Sequence, residues 1–300
     1  MINMLLDTPM KELLFTTVHI RVETAAVVGT GTGFIYNAAR GDDATPVLIT
    51  NKHVIAGATK GVIRLMGRSG DEPDLGNPIE VAYDDFPALW VGHPSSDVDV
   101  AAMFLGPTLN KATSAGRPPF FKMAGPGLCP SDEVLRQLDA VETVTFIGYP
   151  AGLYDQVNHT PIVRQGTTAT PIELNWNGTP TFLIDGSVFP GSSGSPVFLL
   201  QQGIIRAGTS LSIGGAPRLF LLGIVAEVMI QKDTGQIVVA AQKPQVQFNQ
   251  MIDLGIVYKW TAIEETVDAL CAANGIDRGS VHELQPPQAP QPPAKVTDAS

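Results

Sequence analysis

The sequence predicts an all-β protein: two antiparallel β-barrels or sandwiches, followed by one C-terminal α-helix. Three observations carry that expectation. Hydrophobic residues make up 44% of the 300 residues and charged ones 16%, enough apolar material for a large core. Glycine (30) and proline (24) are frequent enough to supply the many turns that short strands need. Apolar or alternating runs of strand length fall into two groups without alternating strands and long helices, which argues against a doubly wound sheet.

The first group begins at Thr16 and comprises TTVHIRV, GFIY, PVLIT, GVIRLM, IEVAY and DVAAMFL, a lobe of about residues 16–106. Residues 107–140 then lose periodicity among prolines and glycines and read as a connector, with a helical hint at Ser131–Leu138. The second group is VTFIGY, PIVRQGTTA, TFLID, SPVFLL, RLFLLGIVAEV and QIVVAA, a lobe of about residues 141–258. Thr261-Ala262-Ile263-Glu264 has the pattern of a capping box. Ile263, Val267, Leu270 and Cys271 share one helical face, and Gly275 suits the residue past a helix end, so a helix is expected over 261–274. One domain of residues 1–280 results. Residues 283–300, rich in proline and nearly free of large apolar groups, should form a disordered tail.

Charge and cysteine content narrow the function classes. The net charge is −10 and no stripe of lysine or arginine marks any element, so neither nucleic acid nor a membrane is an expected partner. The start, MINMLLDTPMKELLFTTV, lacks a basic n-region and a cleavage site, and no apolar run is long enough to span a bilayer. Cys129 and Cys271 are too few for a disulfide framework and show no metal spacing, which fits a reducing, cytoplasmic setting. No cofactor is expected: GTGTGF at 29–34 has no following Lys-Ser/Thr and reads as a tight β turn.

The stretch that suggests chemistry is PGSSGSPVF, residues 190–198. Its glycines let the backbone turn tightly and aim successive N–H groups into one concavity. A serine there becomes a nucleophile only beside an imidazole base. Of the histidines, His53 is best placed, directly after the apolar strand of VLITNKHVI. An acid to orient it is offered by Asp97 or Asp99 in SSDVDVAAMFL. A carboxylate beside such a strand accepts from one imidazole nitrogen and leaves the other basic.

Together these segments resemble the trypsin-like serine peptidases of the chymotrypsin fold, especially their compact intracellular and bacterial branch. GTGFIY with VLITNKHVI is similar to the family's glycine-strand and histidine segments, DVAAM to its aspartate segment, and PGSSGSPVF to G-x-S-G-[GS]-P. IGYP and VRQG are further segments of this branch, and the resemblance covers about residues 16–258. It implies two antiparallel six-stranded β-barrels with the active site in the cleft between them. It also implies His53 as general base, Asp99 as its orienter, Ser193 as nucleophile, and the Gly191 and Ser193 amides as oxyanion hole. Asp99 is favoured over Asp97 because the family's acid precedes an apolar residue and then alanine, as in Asp99-Val100-Ala101.

Where the chain departs from the family, the implications change. Ser192 stands where secreted zymogens carry an aspartate, and no IVGG-like start is present, so activation by N-terminal insertion is not expected. Ser195 replaces a glycine, and no PDZ-like segment follows the second lobe. The resemblance places Ser187 at the floor of the primary pocket and Ala226-Glu227-Val228 along the substrate-pairing strand. That implies a neutral or apolar side chain of modest size, with Val228 narrowing the pocket. The expected function is a serine endopeptidase acting on a protein or peptide substrate. The alternative is a catalytically silent or partner-activated module of the same fold, bound to a peptide or a regulatory protein.

Overall fold

TTVHIRV becomes a strand with Val18, Ile20 and Val22 buried, while GFIY and PVLIT become strand segments buried at successive positions. In the computed structural model the first lobe contains α1 (Pro9–Leu13), β1 (Thr17–Thr24), β2 (Val28–Asn37), β3 (Pro46–Thr50), α2 (Lys52–Ile55), β4 (Ala58–Ser69), β5 (Glu72–Tyr83), β6 (Val91–Gly92) and β7 (Ala101–Phe104). There follow α3 (Gly106–Ser114), β8 (Pro119–Phe120), α4 (Asp132–Leu135) and the second lobe: β9 (Thr143–Gly148), β10 (Ile162–Thr168), β11 (Thr181–Asp185), β12 (Pro196–Gln201), β13 (Ile204–Ala207), β14 (Ser210–Ile213), β15 (Arg218–Gln236) and β16 (Gln245–Lys259). The chain then enters α5 (Trp260–Ala273). The structure describes residues 4–40, 44–207, 210–213, 217–236 and 245–278, with side chains throughout except over 204–213 and 227–252. The tail at 283–300 and all of QIVVAA beyond Gln236 lie outside the described residues.

The second lobe is a closed six-stranded barrel in the order β10-β11-β16-β15-β12-β9. Its interior holds Phe146, Phe182, Ile184, Val197, Leu199, Leu222 and Val225. The first lobe corrects the expectation of a second six-stranded barrel. It is an open eight-stranded sheet, β5-β4-β1-β2-β3-β7-β6, with β8 added on β4. Closure would need the two edges, β5 and β6, to pair. The chain between them instead makes a short 3-10 turn at Pro87–Leu89, and β6 has only two residues, both paired with β7. Side chains fill the opening: Phe86 is fully buried, meets Trp90 edge-on and lies so close to Gly61 that a Cβ there would stand 2.2 Å from its ring.

A third apolar cluster joins the lobes. Phe34, Ile49 and Val100 from the first meet Ile147, Phe198 and Ile224 from the second, and Ile263, Val267, Leu270 and Cys271 of α5 close over them. The apolar face expected for the helix is therefore the face it buries, but its start differs. The helix begins at Trp260, directly out of β16, with Lys259 at the N-cap and no side-chain cap bond, so packing rather than a capping box sets its N-terminus. At the other end Gly275 takes φ +66° and Ile276 N–H reaches back to the Cys271 carbonyl. Buried Arg278 then ties the chain to the Ala38 carbonyl, Glu264 and Asp268. Both cysteines are free thiols, and burial pushes the Cys129 thiol up to about 12. Among the described residues no helix is long and apolar enough to cross a membrane.

Candidate active site

Strand β3 carries Leu48 and Ile49 into the core and ends at Thr50, after which the chain turns into the single helical turn α2. That turn carries His53 with its side chain half exposed. Asp99 lies immediately before β7, and its carboxylate grips His53 twice. Oδ1 accepts the His53 backbone N–H at 3.0 Å, and Oδ2 lies 2.5 Å from ring Nδ1. A carboxylate accepts on both oxygens, so Nδ1 carries a proton, and in the neutral imidazole it is Nε2 that has the lone pair. The buried Asn51 side chain adds a third tie by donating to the Asp99 carbonyl at 2.6 Å.

Asp97 is elsewhere: its side chain is exposed and accepts from Ser96 Oγ, while its carbonyl takes the Tyr258 hydroxyl. His93, from the turn-like segment before the acid, is buried between Ser95 N–H and Glu265 of α5.

The serine loop descends from β11 and enters β12. Gly191 and Gly194 take φ +88° and +90°, where a side chain is strained. At Gly194 a Cβ would stand 1.7 Å from the Thr32 carbonyl oxygen, so the close approach of the loop to β2 requires glycine. Ser193 is half buried, and its carbonyl accepts Thr32 N–H at 3.0 Å. The neighbouring Gly31 receives the Val54 side chain, one residue beyond His53, so the helical turn and the serine loop meet the same end of β2. The Ser193 hydroxyl donates to the Ala226 carbonyl at 2.8 Å, and among the described residues no hydrogen bond joins it to His53. Ser192 and Ser195 are both buried: Ser192 Oγ accepts from Phe189 N–H, and Ser195 packs over Gly148.

The Pro190 carbonyl accepts Ala151 N–H at 2.6 Å, and in a trans peptide the following N–H, that of Gly191, points the opposite way. Among the described residues the Gly191 and Ser193 N–H groups have no backbone acceptor, so both remain available as donors. An anion seated between them would be stabilised by fixed dipoles. Ser187 is half buried in the loop before Val188, and Val188 fills the space over Gly255. Ala226 is buried in β15; Glu227 and Val228 pair with Ile256 and Gly255, and their side chains lie outside the described residues. Among the described residues no three histidine, cysteine, aspartate or glutamate side chains gather closely enough to hold a metal.

One residue of this site was not legible in the motifs. Thr32 is fully buried and touches the serine loop through both backbone and side chain. Thr30 has the same setting between two glycines yet is exposed, so the sequence pattern does not single out Thr32.

A family model described as a trypsin-like peptidase domain matches residues 31–205. Among solved structures, the Rv3671c protease from M. tuberculosis in its active form is 17% identical with a TM-score of 0.44, over 90% of this chain and 86% of that one. A serine endoprotease from Yersinia pestis is 15% identical with a TM-score of 0.45, over 90% and 69%. The tobacco vein mottling virus protease is 10% identical with a TM-score of 0.45, over 86% and 82%. No curated protein sequence matches.

Proposed function

The chain belongs to the trypsin-like peptidase family, and from that premise we propose that it is a serine endopeptidase with Ser193 as nucleophile, His53 as base and Asp99 as orienter. The observation that carries the reading is the double grip of Asp99 on His53, which leaves Nε2 basic. In the reaction, His53 Nε2 takes the Ser193 proton as Oγ attacks the substrate carbonyl carbon. The carbonyl oxygen becomes an oxyanion held by the Gly191 and Ser193 N–H groups. Nε2 then gives its proton to the leaving amine as the C–N bond breaks, and an acyl-enzyme results. Water, deprotonated by the same nitrogen, attacks the ester carbonyl, and Nε2 returns that proton to Ser193 Oγ as the C–O bond breaks and the acid leaves.

The substrate backbone pairs along Ala226-Glu227-Val228, adding a strand to β15. Ser187 gives the primary pocket an uncharged floor, consistent with a neutral or apolar side chain of modest size. A cytoplasmic setting belongs to the same proposal, supported by two free thiols. The second reading, a silent or partner-activated module, is favoured by one observation: the Ser193 hydroxyl is engaged by the Ala226 carbonyl. Substrate binding along β15 would break that bond in the enzyme and leave it intact in a silent module.

A mixed peptide library incubated with the purified protein, its products sequenced by mass spectrometry, tests the choice. Cleavage that disappears in Ser193→Ala supports the peptidase. Retention of library peptides without cleavage supports the binding module and overturns the enzyme reading.

A further inference from the structure

Thr32 is buried to the last atom between Gly31 and Gly33, and every polar group it has is used. Its N–H donates to the Ser193 carbonyl at 3.0 Å, and its carbonyl accepts the Thr50 hydroxyl at 2.7 Å. Its own hydroxyl accepts Tyr149 N–H at 2.9 Å and donates to the Gly191 carbonyl at 3.0 Å. Pairing of β2 with β1 and β3 needs only the backbone, and valine suits such a position as well as threonine. The hydroxyl is thus surplus to the sheet that carries it. Both of its partners, Tyr149 and Gly191, belong to the other lobe, the one that supplies the serine.

Its effect follows from peptide geometry. Glycine at 191 is free to turn over either of its flanking peptides: the one before it carries the Gly191 N–H, and the one after it sets how the chain runs on to the Ser193 N–H. Ala151 N–H holds the peptide before it through the Pro190 carbonyl; the peptide after it is held at the Gly191 carbonyl by Thr32 Oγ1 and at Ser192 N–H by the Phe189 carbonyl. Because Oγ1 already accepts from Tyr149, its single proton is left for Gly191. The other end of the clamp is itself costly to build: Ala151 sits at φ +51°, a region non-glycine residues rarely adopt.

We propose that Thr32 is a positioning residue of the oxyanion loop: through the relay Tyr149 N–H to Thr32 hydroxyl to Gly191 carbonyl it holds the Gly191–Ser192 peptide, which links the Gly191 and Ser193 donors, without touching substrate. The proposal rests on the reading of Ser193 as nucleophile for its catalytic consequence, and on the hydrogen bonds alone for its structural one.

The test compares wild type, Thr32→Val and Thr32→Ser by two readouts. One is the rate of labelling by a fluorophosphonate, resolved into limiting rate and half-saturating concentration. The other is deuterium uptake of the segment 188–195. Losing a whole oxyanion donor lowers the rate by about 10²- to 10³-fold, so loosening one is expected to lower the limiting rate in Thr32→Val by about ten- to a hundredfold. Half-saturation should be unchanged, uptake over 188–195 faster, and Thr32→Ser close to wild type in both. Wild-type rate and uptake in Thr32→Val would overturn the proposal while leaving Ser193 as nucleophile. A wild-type protein that is not labelled, with faster uptake in Thr32→Val, would overturn the nucleophile and support the clamp; no change in uptake either would overturn both. If Thr32→Val does not fold, Thr32→Cys takes its place, since a thiol bonds weakly: a wild-type rate and uptake there overturn the proposal, and slower labelling supports it.

Discussion

Replacing Asp99 with asparagine changes the site by one donor in place of one acceptor, and the geometry dictates where that donor goes. Both carboxylate oxygens face N–H groups of His53, the backbone at Oδ1 and the ring at Oδ2. An asparagine has a single carbonyl oxygen. The backbone N–H of His53 cannot give up its proton, so the amide oxygen must stay opposite it and the NH₂ group must face Nδ1. The imidazole can adapt, by moving its proton to Nε2 and accepting at Nδ1. That tautomer has no lone pair at Nε2 to receive a proton from Ser193, as the proposed mechanism requires. In an enzyme of this mechanism the same change costs about 10⁴ in rate, or about 5 kcal/mol of barrier.

Single-turnover acylation of Asp99→Asn by an activated ester is therefore expected to fall by about four orders of magnitude. Circular dichroism and Tm should stay near wild type, because both hydrogen bonds between His53 and residue 99 survive, as does that from Asn51 to its carbonyl. A rate within tenfold of wild type, in a protein that remains folded, would refute the assignment of Asp99.

Two further outcomes concern the frame of the site. His19 in β1 is buried against Tyr149 and Tyr154, and burial, with Arg64 and Arg21 nearby, lowers its pKa to about 4 against the opposing pull of Glu80. The unfolded chain takes up that proton near pH 6.5 and the folded one does not, so stability from this group is complete above pH 6.5 and is lost as the pH falls toward 4, about 3 kcal/mol in all. The drop in denaturation midpoint between pH 7 and 4.5 should be smaller in His19→Phe, and equal drops would contradict the assignment. Gly194→Ala places a Cβ 1.7 Å from the Thr32 carbonyl oxygen at φ +90°, and should destabilise by more than about 4 kcal/mol or fail to fold. An unchanged Tm would show that the loop does not approach β2 this closely.

The strands were legible as apolar or alternating runs of strand length: TTVHIRV and VTFIGY are β1, which alternates in burial only from Ile20 on, and β9, buried on both faces. What closes a sheet leaves less trace. Whether the first lobe became a barrel depended on the chain from Asp84 to Gly92, where Pro87 breaks the strand and Phe86 covers Gly61 instead. Helix α3 was hidden in the connector because Gly106-Pro107 reads as a turn, although proline is at home in a first helical turn. Strand β16, which completes the barrel, mixes asparagine, glutamine and aspartate among its apolar residues and shows no clean period. At the site, His53 and Asp99 stood out because each follows or precedes an apolar strand in a short motif. Thr32 did not, since its partners are residues 50, 149, 191 and 193, and only the fold brings them together.

The assignment of Ser193 is tested most directly by treating the purified protein with a fluorophosphonate and locating the modified residue by mass spectrometry, beside Ser193→Ala. Phosphonylation at Ser193 alone, abolished in the variant, is the expected result. Modification at Ser192 or Ser195, or none with peptide and protein partners added, would contradict it.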